Sequence, residues 1–159
     1  MENHKLSERE MGWLEGIIDG EGYLGILKSK AKKCKEGFYW NVKLSIANTN
    51  LEMCKKTQNL FSKYDYVGGS ITKQTPKIKN SKVIYIFNAK MGAIRNILPL
   101  LHLIVKERQR QILLEALDIK EKYRISEIYG KGGGRPSDIE KKMETLYQET
   151  KTLNKKGIK

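Results

Sequence analysis

Apolar residues in the first part of the chain recur every three or four positions. Met11, Leu14, Ile17 and Ile18 keep that spacing, which places them along a helix rather than a strand. Ser7 with Glu10 three residues later has the form of a capping box, in which each side chain satisfies a backbone N–H of the other residue. A helix over residues 8 to 20 is predicted. It ends at Asp19-Gly20-Glu21-Gly22, where glycines on both sides of an acid let the backbone turn sharply. Tyr23 to Ala31 reads as a strand, and Lys30 to Gly37 as a basic loop carrying Lys30, Lys32, Lys33 and Lys35. Between residues 39 and 48 the period changes to two. Val42, Leu44 and Ile46 form one face, while Asn41, Lys43 and Ser45 form the other, so this strand is half-buried with a polar, partly cationic outer face.

Asn50 suits the N-cap of a second helix reaching about Tyr64, with Leu51, Cys54, Leu60 and Phe61 as its apolar positions. Gly68-Gly69 marks a turn. Strands follow at Ser70 to Thr75 and Lys82 to Ala89, joined by a loop from Pro76 to Ser81. Val83 to Phe87 is almost wholly apolar, so alternation does not say which side of that last strand faces outward; a buried edge or a register slip would both produce it. Lys90 to Leu98 is helical up to Pro99, and a long helix runs from about Lys106 to Arg124. A Gly-rich break, Gly130 to Pro136, precedes a last helix from Asp138 to about Asn154 and a basic tail of Lys151, Lys155, Lys156 and Lys159. The order αββαββα plus C-terminal helices predicts an α+β fold, with an antiparallel four-stranded sheet covered by helices on one face. Its other face would then be wet and rich in Lys, Asn, Ser, Thr and Gln, which bond phosphates and base edges.

Charge narrows the function classes. Over 159 residues, Lys and Arg outnumber Asp and Glu by 31 to 18, a net +13, which attracts polyanions, above all nucleic acid. The length suits one domain with a true core, and the 39% hydrophobic content is that of a globular chain. No apolar run long enough for a transmembrane helix exists, and the polar stretch Met1 to Glu10 lacks the apolar core of a secretory signal. A soluble intracellular protein without a membrane partner is expected. Cys34 and Cys54, His4 and His102 are each isolated, which disfavours zinc or a Cys–His dyad. Any metal should be hard and oxygen-ligated, such as Mg2+.

One stretch carries specific chemistry. Leu14-Glu15-Gly16-Ile17-Ile18-Asp19-Gly20-Glu21-Gly22, with Trp13 ahead and Tyr23 behind, resembles the LAGLIDADG motif of homing endonucleases. Ile104-Val105-Lys106, after Pro99 and before Gln109, resembles that family's later motif of an apolar pair and a lysine. The resemblance covers about residues 8 to 125. It implies a homing endonuclease core over residues 1–125, with residues 126–159 holding the Gly-rich break, the C-terminal helix and the tail. It also implies a curved antiparallel sheet that binds DNA, and intron-encoded cleavage of a long pseudo-palindromic duplex site using Mg2+ or Mn2+.

Residue by residue, the resemblance makes Glu21 the metal-binding acid, brings the carbonyl of Gly20 to the metal, and leaves Asp19 a structural hydrogen-bonding role. It sets Asn50 where a polar residue organises water near the scissile phosphate, although Asn50 is equally readable as an N-cap. It sets Lys106 where a lysine stabilises active-site charge, against a solvated lysine at a helix start, with Arg108 and Gln109 close behind. Strand alternation and the family register nominate Ser29, Asn41, Lys43, Ser45, Ser70, Thr72 and Gln74 for DNA contact, with Lys30 and Lys32 from the basic loop. A single motif implies a homodimer, packed through Gly12, Trp13, Gly16 and Gly20, because glycines every four residues allow close helix approach. Glu15 departs from the family, which usually has a small residue there; a charge near a two-fold axis repels its mate unless paired or solvated. Three other readings stand beside the nuclease: an RNA maturase acting on intron RNA, a DNA-binding regulator that does not cut, and a basic helical interaction protein.

Overall fold

A computed structural model describes residues 6–32, 38–129 and 137–156, with the side chains of 124–129 and of Lys156 left aside. His4, Lys33 to Gly37 of the basic loop, the Gly-rich break and Lys159 of the tail lie outside the described residues. The elements run α1 (Glu8–Glu21), β1 (Gly22–Lys30), β2 (Phe38–Asn48), α2 (Leu51–Ser62), β3 (Gly69–Gln74), β4 (Ile84–Ala89) and α3 (Met91–Ile97). A 3-10 turn (Leu98–Leu100), α4 (Glu107–Tyr129) and α5 (Ser137–Lys156) complete the chain. This is the expected α+β order. The four strands form one sheet in the order β1-β2-β4-β3, with β4 antiparallel to both of its neighbours. The helix α4 continues past residue 125 to Tyr129.

Contacts divide the chain into two compact units: Met1–Tyr23 with Lys43–Glu107, and Leu24–Val42 with Arg108–Lys159. In the first, Leu14 and Ile18 of α1, Leu44 and Ile46 of β2, Leu60 and Phe61 of α2 and Phe87 of β4 are buried. Phe61 and Phe87 meet edge to face with ring centroids 5.1 Å apart. In the second, Leu24, Ile26, Trp40 and Val42 of the strands and Ile112, Leu113, Met143 and Leu146 of the helices are buried.

Local chemistry explains most boundaries. The capping box starts α1: Ser7 N donates to Glu10 Oε2 at 2.9 Å and Glu10 N to Ser7 Oγ at 3.3 Å. Lys63, at the end of α2, reaches Glu10 Oε1 at 2.9 Å and ties the two helices. Asn50 caps α2 as expected. Thr57 is buried inside α2 but its hydroxyl donates to Met53 O at 2.9 Å, so no polar atom there goes unsatisfied. β4 starts at Ile84, two residues later than its composition suggests, because its partner β3 ends at Gln74, the register mate of Ile84. Gly68 takes a left-handed φ of 68° at the turn into β3, which favours glycine.

Gly22 corrects one expectation. It is the C-cap of α1 with φ −76° and ψ 144°, ordinary extended backbone, so no special turn conformation demands glycine. Space does: a Cβ on Gly22 would lie 2.5 Å from Ile18 O. The chain passes directly from helix to strand, and only a residue without a side chain fits against the preceding turn.

Candidate functional site

The C-terminal end of α1 and the segment leading into α4 are joined by a reciprocal clamp. The last carbonyls of any helix lack intrahelical partners and carry partial negative charge. Here α1 has no basic residue in its last turn. Lys106 supplies the cation instead: its Nζ donates to Ile18 O at 3.0 Å and also to Asp19 O. In return the Asp19 carboxylate accepts backbone N–H bonds from the turn before α4. Oδ2 takes Ile104 N at 2.7 Å, and Oδ1 takes Val105 N at 3.2 Å and Lys106 N at 2.9 Å. Both oxygens of Asp19 are thereby committed to backbone, as a structural acid requires.

Glu21 differs. It is the last residue of α1 and exposed, and its carboxylate makes no hydrogen bond among the described residues. Partial burial holds the Lys106 ammonium below the usual lysine range, while the Asp19 and Glu21 carboxylates act in the opposite direction. Lys106 therefore shares an electrostatic environment with Glu21, eighty-five positions away in sequence. No group of three or more His, Cys, Asp or Glu side chains gathers to hold a metal among the described residues. A single chain offers one uncommitted carboxylate at this point.

Glu15 lies one turn before Asp19 on α1. It is not a bare charge: its Oε1 accepts the backbone N–H of His102 at 2.7 Å. Residue identity carries no sign of this partner, because the donor is a backbone N–H eighty-seven positions away.

Asn50 fills the N-cap role of its two readings. Its Oδ1 accepts from Glu52 N at 3.0 Å and Met53 N at 3.2 Å, while its own N–H donates to Asn48 Oδ1 at 2.8 Å. The glycines of the α1 stripe are open: a Cβ on Gly12, Gly16 or Gly20 would meet nothing within 4 Å. Trp13 is engaged within the chain, with Lys56 Nζ of α2 4.1 Å above its ring.

The sheet register resolves the ambiguous last strand. Phe87 and Ile46 are paired and buried, so Ile84, Ile86 and Asn88 occupy the opposite face. That face carries the cross-strand rows Ser45–Asn88–Ser70 and Ala47–Ile86–Thr72, then Ile84 beside Gln74. Asn88 was missed by the sequence reading, because the apolar run before it hides its parity. Ser45, expected to be available, is only 7% exposed, whereas Ser70, Thr72 and Gln74 are exposed. Ile84 is 38% exposed, so the face is less uniformly polar than composition suggests. Thr72 Oγ1 donates to Ile86 O at 3.4 Å across the strands. Lys43 is half-buried, with its Nζ 6.0 Å from the Tyr23 ring centroid.

In the other unit, Ser29 is half-buried, Lys30 and Lys32 are exposed, and Tyr39 and Leu27 add exposed apolar surface. Asn41 is anchored, since Lys120 Nζ donates to its Oδ1 at 3.0 Å and to Trp40 O at 2.8 Å. Arg108 pairs with Glu149 at 2.7 Å, and Gln109 is buried. No helix among the described residues is long and apolar enough to cross a membrane.

No protein-family model matches the chain, and no curated protein matches it by sequence. Solved structures match it by fold. The homing endonuclease I-CvuI, in complex with the I-CreI target, gives a TM-score of 0.62 at 12% identity over 92% of this chain and 82% of that chain. The archaeal intron-encoded homing endonuclease I-Vdi141I, complexed with DNA, gives 0.58 at 16% identity over 91% of this chain and 98% of that one. The LAGLIDADG meganuclease I-AabMI, bound to uncleaved DNA, gives 0.66 at 12% identity over 90% of this chain, which spans 46% of that one. The fold is that of the LAGLIDADG homing endonucleases.

Proposed function

We propose that this chain, built on the LAGLIDADG endonuclease fold, is a site-specific double-strand DNA endonuclease that works as a homodimer with Mg2+ or Mn2+. The observation that carries the reading is the fixing of the Lys106 ammonium on the last carbonyls of α1, the helix that ends in an exposed Glu21 free of hydrogen bonds among the described residues. The net charge of +13 supports a polyanionic substrate.

A divalent cation at Glu21 would supply Lewis-acid neutralisation of the scissile phosphate and a more acidic water. The donor set fits such a hard ion, because Glu21 and the Gly20 carbonyl offer oxygen only. One carboxylate per chain fits a site completed by DNA phosphates and a second copy rather than a self-contained cage. Lys106 holds positive charge at the last carbonyls of α1, within electrostatic reach of that carboxylate. Asp19 fixes the backbone from which Lys106 projects. Asn50 keeps α2 in place as its cap; a direct part in the chemistry would need its Nδ2, which the cap leaves over.

Ser70, Thr72, Gln74 and Asn88 are the side chains of the first unit proposed to contact DNA, with Lys43 beside them and Ser45 as the floor of its row. Ser29, Lys30, Lys32 and Asn41 are proposed from the second. The open Gly12, Gly16 and Gly20 stripe supports pairing of two α1 helices, which in turn implies a pseudo-palindromic site.

The deciding experiment incubates the protein and Glu21→Gln with a pool of randomised duplex DNA and Mg2+. Cutting by the parent, and retained binding without cutting by the variant, is the expected result. Undiminished cutting by Glu21→Gln refutes the assignment. Absence of cutting by the parent, with help to intron splicing, would favour the maturase reading. Binding should weaken with salt by a log–log slope of roughly −0.9 per phosphate contact, so a slope near −1 for the dimer contradicts an extended DNA interface.

A further inference from the structure

We propose that Glu15 is a positioning residue for Lys106, and that this chain replaces the small residue usual at its place with a second backbone clamp. The proposal rests on the endonuclease reading for its catalytic consequence, but not for the clamp itself.

Leu101 closes the preceding 3-10 turn, its N–H donating to Leu98 O at 3.4 Å, but His102–Lys106 beyond it lie in neither helix nor strand. Leu101 and Leu103 are buried at 0% and 6% exposure, which pins two side chains. Apolar burial is non-directional, so it does not orient the intervening peptide planes. Ile104 and Val105 are 90% and 73% exposed and anchor nothing by packing. Orientation comes from α1: Glu15 takes the N–H of His102, and Asp19 those of Ile104, Val105 and Lys106. Two carboxylates one helical turn apart thus grip four peptide groups along the segment. Asp19 holds its far end, and Glu15 holds its entry.

Lys106 needs that definition. Its flexible stem must deliver the ammonium to Ile18 O and Asp19 O, in the last turn of the helix that Glu21 ends. If the entry at His102 loosens, the segment pivots about the Asp19 bonds and the ammonium loses its fixed point. Misplacement of a catalytic group by about 1 Å can cost on the order of a hundredfold in rate. Because the Asp19 grip remains, a smaller loss, roughly tenfold, is expected from removing Glu15 alone.

The test compares the full-length parent with Glu15→Met and Glu15→Gln. Met keeps the stem and helix propensity but removes the acceptor; Gln keeps an acceptor oxygen and removes the charge. Amide hydrogen exchange and the Lys106 ζ-ammonium resonance report the clamp, and single-turnover cleavage with DNA affinity reports the reaction. Faster exchange at His102 and Ile104–Lys106 and a shifted ammonium resonance are expected in Glu15→Met. Cleavage should slow roughly tenfold at unchanged DNA affinity. All of these should return towards the parent in Glu15→Gln. Parent-like exchange and ammonium signals in Glu15→Met overturn the proposal, as does a Gln variant as impaired as Met, which would make charge the operative property. Should the parent cut no DNA, the endonuclease reading fails, while exchange and the ammonium signal still decide the clamp.

Discussion

Replacing Asp19 with alanine tests the reciprocal clamp directly. The carboxylate accepts three backbone N–H bonds at 2.7, 3.2 and 2.9 Å. Bonds to a charged acceptor contribute about 1.5–3 kcal/mol each when buried, and loss of a helix N-cap costs about 0.5–2 kcal/mol. Ile104 and Val105 are exposed, so water can replace the acceptor at their amides; Lys106 is half-buried and less easily rehydrated. The cap end of the scale is therefore appropriate, and Asp19→Ala should lose about 2 kcal/mol. Asp19→Asn separates the two oxygens. It keeps one acceptor, enough for Val105 and Lys106, which share Oδ1, but turns an N–H₂ towards Ile104 N–H, which had Oδ2. It should lose roughly half as much, about 1 kcal/mol. Urea unfolding is the assay: the midpoint should fall in the order parent, Asn, Ala at constant slope. An alanine variant within about 0.5 kcal/mol of the parent, or an asparagine variant equal to it, would refute the reasoning.

The two motif glycines should respond oppositely to alanine. Gly22→Ala sets a Cβ 2.5 Å from Ile18 O and should cost about 1–3 kcal/mol by overpacking. Gly16→Ala meets no atom within 4 Å and should stabilise the isolated chain by up to about 1 kcal/mol, yet weaken any dimer through that stripe, as sedimentation would reveal. Glu10 is held below the usual carboxylate range by Lys63 and by the Ser7 backbone. Its stabilising effect is present above its unfolded value and vanishes as pH falls through the folded one, so the Tm gap between parent and Glu10→Gln should close in acid. Lys106 has the opposite history: burial depresses it, so folding is penalised wherever it is charged and relieved as pH rises towards the ordinary lysine range. The stability of Lys106→Met relative to the parent should accordingly be greatest below that range and fall as the pH climbs.

Local pattern determined a great deal about this protein. Ser7 and Glu10 announce the start of α1, Asn50 the start of α2, and the alternation of Val42, Leu44 and Ile46 the buried side of β2, because each depends on neighbours within four residues. The motif around Glu21 was legible for the same reason, whereas Lys106 was nominated only by family resemblance, and only the fold brings it to the end of α1. Tertiary structure decided the rest. Only the pairing of β4 with β3 shows that Asn88 and Ile86 share a face with Ser70 and Thr72, and only its pairing with β2 sets that face opposite the buried Phe87 and Ile46, since an apolar run has no parity of its own. Only folding shows that Ser45 is buried and that a Cβ has no room at Gly22. Glu15 illustrates the division best. By sequence it is a charge where a small residue belongs, but its proper donor, the backbone N–H of His102, lies eighty-seven positions away. A backbone donor leaves no trace in residue identity, so nothing short of the folded chain could reveal it.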